Sequence, residues 1–93
     1  MEIVFVHKHI DKGYLIDIKI YSVPKDERHP EGFRYSLVLV RKGKRLLGYD
    51  NYEGKGHHIH RGNREITYHF TDEWKLVEDF MEDVRIITKG IIQ

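Results

Sequence analysis

Alternating apolar and polar side chains, cut by glycine turns, govern the first two-thirds of this 93-residue chain. Successive side chains on a strand point to opposite faces, so a two-residue apolar period builds a sheet buried on one side. Tyr14, Ile16, Ile18 and Ile20 alternate with Asp17 and Lys19. Tyr35, Leu37 and Leu39 alternate with Ser36, Val38 and Val40. Asp11-Lys12-Gly13, Lys42-Gly43-Lys44 and Gly62-Asn63 are turn signals between such runs. The pattern predicts strands over 1–10, 14–21, 33–41, 45–50, 57–61 and 64–70. Pro24, Pro30 and Gly32 mark the segment 23–32 as a loop.

The last third changes period. Trp74, Val77, Phe80, Met81, Val84 and Ile87 recur at steps of three and four and form one apolar helical stripe. Thr71 or Asp72 can cap its start, and Gly90 can end it. The whole stripe, Trp74 included, is expected to pack as core. The expected fold class is α+β: a twisted antiparallel sheet of five or six strands with one C-terminal helix packed on a face. A single domain over 1–93 is expected, with strands over about 1–70 and the helix over about 72–89.

The chain has no cysteine, which removes disulfides and thiolate metal sites. Its N-terminus has no basic leader followed by a long apolar run, and no apolar run approaches the roughly 20 residues of a membrane helix. A cytoplasmic protein with no membrane partner is expected. The net charge of +1 hides an asymmetry. Residues 41–64 hold seven basic residues (Arg41, Lys42, Lys44, Arg45, Lys55, Arg61 and Arg64) against Asp50 and Glu53, a local +5. Residues 71–90 hold six acids against three cations, a local −3. The basic segment points to an anionic substrate or partner, or to a solvated charged surface.

That segment surrounds three histidines, His57, His58 and His60. Free imidazole titrates near pH 6.5, so it can give and take protons near neutrality, and it also ligates metals. On a strand His58 and His60 share one face and His57 takes the other. Three readings fit. In metal-independent RNA cleavage, imidazoles move the protons, Asp50 orients one of them, and Lys55 and Arg61 bind phosphate. Gly54 and Gly56 would let backbone N–H groups approach the same phosphate. In a divalent-metal site, two histidines and Asp50 are ligands. In the third reading the histidines are polar strand residues, and Asp50 and Asn51 shape a turn. His7 and His9 share one face of the first strand and are expected to be exposed.

Three stretches and a tail carry a family resemblance. They are Tyr21-Ser22-Val23-Pro24, Pro30-Glu31-Gly32-Phe33-Arg34-Tyr35-Ser36-Leu37 and the run from Gly48 through Asp50-Asn51-Tyr52-Glu53-Gly54-Lys55-Gly56-His57-His58-Ile59-His60. The tail is Leu76-Val77-Glu78-Asp79-Phe80 with Asp83-Val84. This pattern resembles the TumE-type toxins of prokaryotic type II toxin–antitoxin systems, over residues 14–88. The resemblance implies a helix-turn-helix antitoxin partner and action on RNA. Separately, no cofactor is expected, and a homodimer is left open. It carries Asp50, Asn51, Gly54, Gly56, His57, His58 and His60 as motif positions. Histidine is common in the family where Tyr52 stands, and arginine where Ile59 stands. The expected function is a ribonuclease toxin with catalytic His57, His58, His60 and Asp50, and with Lys55, Arg61, Asn51, Gly54 and Gly56 binding substrate. The alternative is a non-enzymatic module that binds protein or nucleic acid, with structural histidines.

Overall fold

The computed structural model describes residues 1–52 and 56–93. Among them, strands β1 (Glu2–Asp11), β2 (Tyr14–Ser22), β3 (Phe33–Arg41), β4 (Lys44–Asp50), β5 (His58–Arg61) and β6 (Arg64–Thr67) form one sheet in chain order. Every neighbouring pair is antiparallel. Helix α1 (Glu73–Ile87) packs on one face. The α+β architecture read from the sequence therefore holds.

Two of the hairpin turns explain themselves. Lys12-Gly13 and Lys42-Gly43 both take positive φ at both residues. That is the mirror-image turn whose twist matches the flanking strands, and glycine adopts it without a Cβ clash. One residue departs from regular pairing in β4. Leu39 pairs with Leu47 and Val40 with Arg45, so Leu46 is a bulge. A bulge reverses the facing of the residues before it.

The period-two pattern sorts the faces as expected. Ile16, Ile18, Ile20, Tyr35, Leu37, Leu39, Leu47 and Tyr49 are buried under α1. Leu76, Phe80 and Val84 are the fully buried helix residues, with Val77, Met81 and Ile87 packed beside them. Two helix assignments change. Trp74 is 59% exposed and meets Phe5 edge-on rather than entering the core. Leu76, outside the predicted stripe, is fully buried. The helix axis is turned so that its stripe runs through 76, 80 and 84, which moves position 74 to the rim.

Asp72 is the N-cap, accepting hydrogen bonds from the N–H groups of Trp74 at 2.9 Å and Lys75 at 2.8 Å. Gly90 takes φ +81, and its N–H reaches back to the Arg85 carbonyl at 2.8 Å, closing the C-terminus. Among the described residues no helix is long and apolar enough to cross a membrane.

Two tyrosine–carboxylate bonds fasten the helix to the sheet. Tyr49 donates its hydroxyl to Asp83, and Tyr68 donates to Asp79 at 2.7 Å. Burial first, then the nearby carboxylate, pushes both phenols well above the ordinary tyrosine range. Burial does the same to Tyr35. The folded state therefore holds these three as neutral phenols while the unfolded chain ionises them near pH 10. Above that pH the unfolded state binds fewer protons, so stability is intact below about pH 10 and falls as pH rises through it. Each tyrosine steepens the fall by up to about 1.4 kcal/mol per pH unit. Denaturation followed between pH 9 and 12, with tyrosinate absorbance at 295 nm as second probe, is expected to show these phenols ionising with unfolding. Tyr49→Phe should flatten the slope by roughly one tyrosine's share.

Candidate functional site

The face that α1 leaves open carries the histidine pair. Across β4 and β5, Asp50 pairs with His58 and Gly48 with His60. Across β5 and β6, His58 pairs with Thr67 and His60 with Glu65. Leu47 and Tyr49 face the helix, so Asp50, His58, His60 and Glu65 face away from it. The contacts run diagonally. His58 Nδ1 lies 3.0 Å from Glu65 Oε1, and His60 Nε2 lies 3.2 Å from Asp50 Oδ2. The two rings stand 6.2 Å apart between centroids, tilted by 38°. Each imidazole thus has a carboxylate beside it, which can fix the orientation of the ring.

His57 points the other way, as alternation requires. Its ring stacks on Phe70 at 4.8 Å and Tyr35 at 5.7 Å between centroids. Its Nδ1 hydrogen-bonds the Tyr35 hydroxyl at 2.7 Å and its Nε2 the Glu31 carboxylate at 3.0 Å. This histidine pins the loop before β3 to the loop before β5 and has no contact with the open-face pair.

Asn51 is only 2% exposed. Its side-chain oxygen accepts from Tyr35 N–H at 3.0 Å, and its amide donates to Phe33 carbonyl at 2.7 Å. The β3–β4 ladder pairs Ser36 with Asp50, and one residue later this side chain continues it where the backbone leaves. Expected as a substrate contact, Asn51 is instead part of the sheet. Arg61 also departs from the expected site. It lies on the helix face, 2.8 Å from Asp83 Oδ1, away from His58 and His60. Gly56 takes φ +82 and is exposed. Gly54 and Lys55 lie outside the described residues. Among the described residues no group of three or more His, Asp or Glu side chains is arranged to hold a metal ion.

Sequence reasoning did not single out Glu65, Glu31 or Arg34. Arg34 lies over the Tyr52 ring, 4.4 Å from its centroid, a cation–π contact. The signal for Glu65 was present. Gly62-Asn63 is a two-residue turn, and such a turn fixes the pairing of His60 with Glu65. His7 and His9 stack on one another at 6.0 Å and are exposed, as expected. His69 is exposed beyond the end of β6 and does not join the pair.

The fold and this face define a small α+β protein with two histidine–carboxylate pairs on an open sheet surface. The family model described as Toxin TumE matches residues 2–88, and the chain belongs to that toxin family. Membership implies an antitoxin partner. No curated protein and no solved structure matches the chain.

Asn51→Ala would strand two backbone groups of β3 in the interior. Each orphaned group costs about 1–3 kcal/mol, so the expected loss is about 2–6 kcal/mol in urea denaturation. A loss within about 0.5 kcal/mol of the parent, the range of ordinary surface changes, would refute the ladder role.

Proposed function

We propose that this toxin cleaves RNA without a metal, using His58 and His60 as the acid–base pair. The observation that carries the proposal is their arrangement: two imidazoles 6.2 Å apart on one open face, each within 3.2 Å of a carboxylate. One phosphodiester can reach both rings. One imidazole takes the proton from a ribose 2′-hydroxyl. The freed oxygen attacks the adjacent phosphorus, and the bond from phosphorus to the 5′-oxygen breaks. The other ring, protonated, gives its proton to that departing oxygen. The products are a 2′,3′-cyclic phosphate and a 5′-hydroxyl, and no cofactor is consumed. Asp50 and Glu65 position the rings. Lys55 and the backbone around Gly54 and Gly56 are the candidates for contact with the phosphate. A helix-turn-helix antitoxin would hold the toxin silent in the cytoplasm.

One observation favours a second reading, a module that only binds. Strand β1 is a sheet edge, and Ile3, Val6 and Ile10 are exposed along it. Such an edge can dock a partner without any chemistry.

Purified protein incubated with total RNA separates the two. Cleavage is expected to proceed undiminished in EDTA and to leave 2′,3′-cyclic phosphate ends. Positioned acid–base groups contribute about 10²–10⁴-fold each, so His58→Ala with His60→Ala should slow cleavage by at least about 100-fold. Equal cleavage by parent and variant would remove both histidines from the chemistry. Loss of cleavage in EDTA would redirect the site to a metal.

A further inference from the structure

A phosphodiester held against His58 and His60 needs a cation on their face, and Arg61 is on the other one, paired with Asp83. The bulge in β4 supplies a replacement. Residues 45 and 48 of a regular strand would face opposite ways. Because Leu46 is the extra residue, Arg45 pairs with Val40 and Gly48 with Val38, both on the helix-free side. Arg45 therefore shares a face with Gly48, Asp50, His58 and His60.

Gly48 is not required by its backbone, which lies outside the positive-φ set. What its missing side chain leaves is space for Arg45. A Cβ at Gly48 would stand 3.2 Å from Arg45 Cδ, 3.4 Å from Nη1 and 3.5 Å from Nε. The guanidinium thus lies across the place where a side chain would be. Gly48 is the direct partner of His60, and opposed Cβ positions on neighbouring strands are about 4.5–5.5 Å apart. Arg45 thereby lies over the strand position that pairs with His60. Among the described residues it makes no ion pair, whereas Arg61 and Arg85 are each committed to a carboxylate. Its planar fork of donors matches phosphate oxygens, and a guanidinium sheds water more readily than an ammonium.

Resting on the RNA reading of this face, we infer that Arg45 is the residue that grips the RNA phosphate, and that Gly48 is a positioning residue whose missing side chain seats it. The ligand is the backbone of single-stranded RNA, bound at His60.

The test is affinity for a 2′-O-methyl RNA oligonucleotide, which lacks the nucleophile and cannot be cut. Fluorescence anisotropy would follow the full chain across a salt series. Arg45→Ala is expected to raise Kd about tenfold at every sequence and to lower the log–log salt slope by about 0.7, one single-strand phosphate contact. Gly48→Val keeps every charge but fills the seat, with a residue that suits strands, and should raise Kd at least about threefold. Arg28→Ala, the same loss of charge in a remote loop, should change Kd less than about twofold. Thermal unfolding confirms that each variant is folded. If the parent binds and Arg45→Ala stays within twofold of it, this inference fails and the ribonuclease proposal survives. If only Gly48→Val is silent, Gly48 loses its role and Arg45 keeps its own. A parent that does not bind the oligonucleotide overturns the RNA reading and this inference with it.

Discussion

One helix can cover only one face of a six-stranded sheet, and the rest of this molecule follows from which face it covers. The helix side needs an apolar surface continuous across the central strands, and Ile18, Leu37, Leu47 and Tyr49 provide it. Burying such side chains is worth about 1.5–3 kcal/mol each, so no register that exposed them would compete. Polar anchoring then fixes where the helix sits. Asp79 and Asp83 lie one turn apart and meet Tyr68, just past β6, and Tyr49 of β4, whose rings touch edge-on. The acidic helix is thus held over the strand segment that carries the basic residues. The helix does not cover the opposite face, and Asp50, His58, His60 and Glu65 gather there.

The Asp50–His60 string looks like a single motif in sequence, but the fold divides its work between two faces. Asp50, His58 and His60 go to the open side. Asn51 and His57 go inward and tie β3, the loop before it and Phe70 together. The inward residues hold the outward ones in position. A site on an open sheet has no cavity wall to hold it, so its geometry depends on the rigidity of the strands beneath. Asn51 stiffens the end of β4 one residue from Asp50, and His57 does the same one residue from His58.

Legibility followed the length of each periodic run. Strands β2 and β3 were readable residue by residue, because nine-residue alternation leaves only one facing that buries the isoleucines and leucines. The helix was readable as an element, while its rotation was not. Trp74 and Leu76 exchange roles because the stripe has several apolar neighbours and only the sheet decides which column it accepts. Strand β6 ends at Thr67 rather than running to Phe70, since Phe70 is drawn off to stack on Tyr35 and His57. The split of His57 from His58 and His60 followed from alternation alone. Arg61 obeys the same alternation, so its separation from the pair was also contained in the pattern. Glu65 could be read from the two-residue turn. The diagonal contact of Asp50 with His60 could not, because no tight two-residue turn joins β4 to β5 to fix their register from sequence.

The two departures from the family pattern carry different physical weight. Ile59 sits opposite Tyr49 and Ile66 and is partly buried against the core. An arginine at that position would emerge beside Arg61 and the helix carboxylates, not beside His58 and His60. Its replacement by isoleucine therefore takes no cation from the open face. Tyr52 is different. Its ring lies under the Arg34 guanidinium, just past the end of β4. A histidine there would offer a smaller and titratable surface to the same arginine, weakening the stack when protonated. The substitution most open to a chemical consequence is thus the one at the rim of the histidine face, and the one at 59 is a matter of packing.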